Sequence, residues 1–239
     1  MDYRDHYKSH LSRFYTWMFG DYDAMVRTQR AFFDGHSIAP NSTRVALDLG
    51  SGPGFQSIAL SQIGFDVLAI DTSEELLREL AGRCGSVKTL NRDFRDLSFA
   101  MGSRPELIVC MGDTLTHLGS VDEVRSVIRQ THALLVPKGR VVLTFRDLSV
   151  PRKDVDRFIP VRGDADRILT SFLEDAGDSV VVFDLLHERA GADWTLTKSC
   201  YRKIKLTKAA ASAIAVEAGF RVETDQLKNG MIVVIGLKD

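Results

Sequence analysis

Between Val45 and Ser57 the chain reads VALDLGSGPGFQS, a short apolar run that passes directly into Gly50, Gly52 and Gly54. Such a run fits a buried strand, and the glycines fit a turn that needs positive φ and close backbone approach, which a Cβ would block. A tight strand-to-helix turn alone would use the same residues. The surrounding pattern repeats the theme. Apolar strands are expected at 45–49, 66–70, 87–91, 106–111 and 139–145, and amphipathic helices at 56–63, 74–84 and 121–135. This βαβα order predicts a parallel α/β sheet whose inner strands are buried on both faces.

The two ends of the chain depart from that rhythm. Leu11, Phe14, Tyr15 and Met18 share one helical face; Gly20 then interrupts, and Asp23 is expected to cap a second helix ending near Gly35. Residues 150–170 are mixed in charge and read as irregular. Residues 179–188 and 194–206 read as a hairpin turning at 190–193. A helix at 207–218 follows, then a closing hairpin, 221–224 and 231–237, around Asn229-Gly230. A parallel sheet ending in an antiparallel hairpin is unusual for a dinucleotide-binding fold.

Composition narrows the function classes. Hydrophobic residues make up 44% and charged residues 26% of 239, an ordinary globular balance, and the net charge of -1 advertises no nucleic-acid partner. Apolar runs such as 231–237 fall well short of the ~18 residues a membrane span needs. Cys84, Cys110 and Cys200 are far apart, with no CxxC pair, which fits a reducing compartment. The polar start, MDYRDHYKSH, does not read as a targeting leader. A cytoplasmic location is the expectation. His6 and His10 would share a helix face, but no third ligand stands with them, so no metal is expected.

The glycine spacing is GxGxG. Phe55 occupies the position of the third glycine in a nicotinamide fingerprint, and no Gly-Lys-Ser/Thr follows for a P-loop. Asp48, two residues before the first glycine, would repel a pyrophosphate but could accept from an ammonium. Asp71, ending the second strand, could accept from both ribose hydroxyls of a nucleoside. Asp93-Phe94, after the third strand, could offer adenine an acceptor and an apolar wall. Together these describe a ligand with adenosine at one end, ammonium at the other and no pyrophosphate.

These residues, with ALDLGSGPG, NRDF, ELIVCMGD and LLVPKGRVVLTF, carry a resemblance to the class I S-adenosylmethionine-dependent methyltransferases, best over about residues 40–146. The resemblance implies a Rossmann-like seven-stranded sheet with the last strand antiparallel, S-adenosylmethionine as cofactor and S-adenosylhomocysteine as product. It implies that Asp48, Gly50, Gly52 and Gly54 line the methionine part, Asp71 the ribose, Asp93 and Phe94 the adenine, and Met111 the rim, with Thr72 also binding the cofactor. Residues 1–40 would form a helical lid, with Tyr15 and Met18 over the cofactor. Residues 41–146 would form the core, 147–206 an inserted β-hairpin cap as in glycine N-methyltransferase-like enzymes, and 207–239 the closing helix and hairpin.

Within the cap, His187, Arg189, Trp194, Tyr201 and Arg202 are candidates for substrate contact, although a strand alternates its faces and not all can point inward. His117 or Asp113 would serve as general base where the acceptor needs one. The basic stretch Lys198, Arg202, Lys203, Lys205 and Lys208 reads as a solvated strand face. The chain also lacks the Asn/Asp-Pro-Pro-aromatic turn and Pro-Cys nucleophile of base-modifying relatives. The expected reaction is methyl transfer to N or O of a small molecule, with the oligomeric state open, a homodimer included. Two alternatives stand beside it: a methyltransferase-fold protein using the cofactor for other chemistry or regulation, and a nicotinamide oxidoreductase, disfavoured by Phe55 and the closing hairpin.

Overall fold

The computed structural model describes residues 12–227 and 229–239; His6, His10 and Leu11 lie outside the described residues. Two helices come first, α1 (Ser12–Phe19) and α2 (Tyr22–Gly35). The alternating core follows: β1 (Val45–Leu49), α3 (Phe55–Gln62), β2 (Asp66–Asp71), α4 (Glu74–Arg83), β3 (Lys88–Asn91), β4 (Leu107–Cys110), α5 (Val121–Leu134) and β5 (Arg140–Arg146). Four long strands come next, β6 (Phe158–Gly163), β7 (Arg167–Asp175), β8 (Ser179–Ala190) and β9 (Asp193–Ile204). The chain closes with α6 (Lys208–Glu217), β10 (Phe220–Gln226) and β11 (Met231–Lys238).

The main sheet has the order β10-β11-β5-β4-β1-β2-β3, with β11 antiparallel to both its neighbours and the other core pairs parallel. Its inner strands read as continuous apolar runs because both faces are covered. On one face Leu47, Leu49, Ile108 and Cys110 pack under Val124, Val127 and Ile128 of α5; on the other, Ala46, Leu107 and Val109 pack under Val26 and Phe33 of α2 and Ala59 of α3. Each fully buried Leu or Ile contributes about 1.5–3 kcal/mol, so these two layers fix the sheet. Strand order reverses between β1 and β4, and ligands of open α/β sheets bind beyond the carboxyl ends at that point.

Two expectations are corrected. The cap of α2 is Asp21, whose side chain accepts from the Ala24 amide, while Asp23 sits within the first turn. Residues 150–170 are not irregular, and the cap is more than a hairpin: β6, β7, β8 and β9 form a four-stranded antiparallel sheet. β6 escaped detection because Pro160 interrupts it and a register shift follows between Pro160 and Arg162, as suits an edge strand. β7 carries charges at both ends and only one fully buried residue, Leu169, so its alternation is faint.

α1 is wedged between core and cap. Its Ser12 hydroxyl meets Ser73 at 3.2 Å and its Thr16 hydroxyl donates to Glu79 at 2.8 Å, both on the core side. On the cap side Phe14 packs with Leu169 and Leu186, Arg13 pairs with Glu188, and the Trp17 indole donates to Asp164.

Candidate active site

The turn after β1 is built by its backbone. Gly50 (φ 69°) and Ser51 donate to the Ile70 carbonyl at 2.8 and 3.0 Å, locking the turn to the end of β2. The Gly52 amide donates to one oxygen of Asp71 at 2.8 Å and the Ser73 amide to the other at 2.8 Å. Burial pushes the Asp71 carboxyl above the usual carboxylate range, against the Ser73 and Gly52 amides that favour its charge. A Cβ at Gly50 would stand 2.1 Å from Thr114 Cγ2, and one at Gly52 would stand 3.5 Å from the Tyr15 ring.

These groups border one narrow cleft, lined by Tyr15, Gly50, Gly52, Asp71, Thr72, Phe94, Thr114 and His117. None of those residues is Lys or Arg, so the chemistry of the lining suits a nucleoside better than a pyrophosphate. The cleft encloses only about 50 Å³ while Tyr15 lies over the turn. Small-molecule sites usually offer about 300–1,000 Å³, so the cleft as it stands is smaller than a nucleoside requires.

His117 ends a 3₁₀ turn, Thr114–His117, just past β4, and its ring stacks on Tyr201 of β9 with centroids 5.2 Å apart. Tyr201 also packs with Val180 and Val182, against Leu148 and Leu173. Leu148, Leu173 and Val180 line a second, wider cavity of about 600 Å³, whose charged residues are of both signs, Arg146, Arg152 and Lys153 with Asp147, Asp156 and Asp175. Tyr201 therefore stands between the narrow cleft and the wide one.

The structure brings Tyr15, Gly50, Gly52, Asp71, Thr72, Phe94 and His117 together. It seats the other candidates elsewhere. Asp48 lies beneath the turn, buried, accepting from Ser57 at 2.6 Å; burial, more than the nearby Asp71 charge, pushes its carboxyl up to about 7. Gly54 (φ 92°) faces Leu80, Met111 is buried in the core layer under α3, and Met18 packs toward the cap with Phe14. Asp93 is held by a two-pronged ion pair with Arg95.

Asp113 is corrected from a general base to an anchor. It pairs with Lys203 at 2.9 Å and with the Arg146 guanidinium, and accepts from the Arg146 amide at 2.9 Å. Burial alone would raise its carboxyl, but the Lys203 and Arg146 charges outweigh that and hold it far below the usual range. A carboxylate so stabilised is a poor proton acceptor at neutral pH.

Among the five cap candidates only Tyr201 faces the cleft. It is 9% exposed, whereas Trp194, on the same strand but out of phase with it, is 41% exposed. Cross-strand partners share a face, so Trp194 and Arg189, which pair with each other, lie on the outer face. Arg202 is out of phase with Tyr201 in the same way, and His187 pairs with the exposed Leu196 and Ile168, so both are outer-face residues. Thr114, Arg146 and the buried Asp184 of β8 escaped sequence reasoning, and Lys203, read as part of a solvated strand face, is instead 8% exposed and turned inward to Asp113. Thr114 alone had a local signal, its place in MGDT past β4.

Comparison with known proteins agrees with this geometry. A family model described as "Methyltransferase domain" matches residues 46–139. The glycine/sarcosine N-methyltransferase of Halorhodospira halochloris is 30% identical over 131 residues, 53% of this chain and 48% of that protein. The chain spans about half the length of that relative. The crystal structure of DesVI from Streptomyces venezuelae matches with a TM-score of 0.76 and 19% identity, over 97% of this chain and 98% of that one. CalS10 of Micromonospora echinaspora, an amino pentose methyltransferase solved with S-adenosylmethionine bound, matches with a TM-score of 0.74 and 17% identity, over 93% and 94%. Residues 46–139 match a methyltransferase domain, and the chain as a whole has the fold of the S-adenosylmethionine-dependent methyltransferases.

Proposed function

We propose that this protein transfers the methyl group of S-adenosylmethionine to a nitrogen of a small-molecule acceptor. The observation that carries the reading is the cleft at the sheet's reversal point, where Gly50 and Gly52 of the turn, the Asp71 carboxylate and the Phe94 ring converge without a Lys or Arg. The nitrogen is supported by the names of a relative, a glycine/sarcosine N-methyltransferase, and of a protein of like fold, a sugar N-methyltransferase. When bound, the cofactor supplies a methyl carbon activated by a sulfonium.

The chain's own residues then bind and align. Asp71 and Thr72 would hold the ribose, Phe94 would face the adenine, and the Gly50–Gly52 turn would lie along the amino-acid end. Asp48 sits under that end and titrates near neutrality, so an ammonium close above would favour its charged form. α1 is the lid: Tyr15 must leave the turn for the cofactor to enter and return to exclude water. Residues 147–206 cap the acceptor, which reaches the methyl past Tyr201 from the wider cavity. His117 borders the transfer point and can take the acceptor's proton. The three free cysteines support a reducing cytoplasm as the working compartment.

Parallel calorimetric titration with S-adenosylmethionine, S-adenosylhomocysteine and NAD tests the cofactor. Micromolar binding of the first two is expected, and binding of NAD alone would refute the reading. Formation of S-adenosylhomocysteine from an amine acceptor separates catalysis from a purely regulatory use of the ligand. His117→Ala should lower turnover about 100-fold with cofactor affinity changed less than twofold, the small end of general-base effects. Equal loss in both would make His117 a packing residue.

A further inference from the structure

We infer that Asp184, on the inner face of the cap, is the acceptor-binding carboxylate, and that the acceptor it selects is a cationic amine; this rests on the methyl-transfer reading above. Asp184 is 3% exposed and accepts from the Ser171 hydroxyl at 2.5 Å, with Ser199 directly opposite on β9. Its neighbours along the same face fix its position. Leu186 on one side touches Phe14 of α1, and Val182 on the other packs with Tyr201. Asp184 thus lies on the stretch of sheet that bridges the lid and the passage between the two clefts. The phenol of Tyr201 feels it: burial first, then the Asp184 charge, push that hydroxyl well above its usual range.

The aromatic surroundings point the same way. Tyr15 lies over the glycine turn, and Tyr201 stacks on His117 at the cleft wall. Ring faces beside a carboxylate favour an ammonium or alkylammonium through cation–π attraction and charge pairing, and disfavour a carboxylate in the same place. The step balances simply. The docked ammonium gives up one proton, to His117 or to water, and its freed lone pair forms the N–C bond. The S–C bond breaks with its electrons returning to sulfur, and the product is a methylated ammonium beside neutral S-adenosylhomocysteine. Asp184 exchanges no proton in this step and serves to hold and select.

The test uses full-length protein saturated with S-adenosylhomocysteine and ligand-observed NMR titration of methylammonium, propylammonium and glucosamine, with propanol and propionate as controls. At least one amine should bind saturably and more tightly than either control. Asp184→Asn should weaken that amine by about tenfold or more, the scale of a lost hydrogen bond to a charged group. Its S-adenosylhomocysteine affinity should stay within about twofold of wild type, while Ser171→Ala, which keeps the carboxylate, should retain amine binding. If the Asn variant does not fold, Asp184→Glu replaces it, and a shift in amine affinity with no shift for propanol is required. Unchanged amine affinity in the variant, no binding by any of the three amines, or equal binding of propionate overturns the inference and leaves the cofactor reading intact. Failure of wild-type protein to take up S-adenosylhomocysteine overturns the cofactor reading itself, and the inference with it.

Discussion

Asp71→Ala is expected to weaken S-adenosylhomocysteine binding by about 30-fold or more, roughly 2–3 kcal/mol, the range for lost hydrogen bonds to a charged group. The carboxylate acts twice. It fastens the Gly52 amide, which shapes the turn, and the Ser73 amide, which starts α4, and under the proposed function its remaining lone pairs face the ribose. Asp71→Asn should lose less, since its one carbonyl oxygen can still accept from one of the two amides. Calorimetry on both variants checks the order, and unchanged affinity in Asp71→Ala would move the site away from this turn.

The pH dependence follows from the direction of the shift. Because burial raises the Asp71 carboxyl, its charged form, which accepts from hydroxyls, is lost at a higher pH than for an ordinary aspartate near 3.9. Affinity in wild type should therefore fall on acidification earlier than a free carboxylate would dictate. Asp48 provides an internal check. The Asp71 charge is one of the causes that raise it, so removing Asp71 should lower the Asp48 midpoint from about 7.

The parts of this site that were legible in the sequence are those fixed by backbone and strand ends. Gly50, Gly52, Asp71 and Phe94 sit where successive strands of a parallel sheet stop, so finding the strands found the residues. The cap was opaque for a different reason. Whether Tyr201 or Trp194 points inward depends on the phase of β9 against the core, which nothing local to the strand sets. The phase is set by Lys203 reaching Asp113, 90 residues away in sequence. The same contact, with Arg146 from 33 residues away, inverted the chemistry of Asp113: an acid beside the cleft reads as a base until its two cations are in view. Asp184 was invisible for the same reason, since an acid in an alternating strand ordinarily faces water.

At the opposite edge of the sheet, Glu106→Ala should lower the melting temperature by about 6–12 °C, or about 3 kcal/mol for a chain of this size, and leave S-adenosylhomocysteine affinity unchanged. Glu106 is 8% exposed, and its carboxylate collects the loop before β1: the Asn41 and Arg44 amides at 3.2 and 2.8 Å, and the Ser42 hydroxyl at 2.6 Å. Its own backbone ties that loop to the sheet, donating to Val45 and accepting from the Arg140 amide. Alanine would leave several inward-pointing amides without acceptors, the costly way to remove a buried polar group. Burial alone would raise this carboxyl, but the Ser42 hydroxyl and the Asn41, Ser42 and Arg44 amides outweigh it, so its folded value lies below 4.5. The stabilisation is then fully present above the unfolded value of about 4.3 and disappears as pH falls through the folded one. Melting curves of wild type and Glu106→Gln should differ most at pH 7 and converge only on acidification below the ordinary glutamate range, because protonation makes the native side chain resemble its amide. A gap that persists unchanged at low pH would mean that the loop is held by shape and not by the carboxylate's charge.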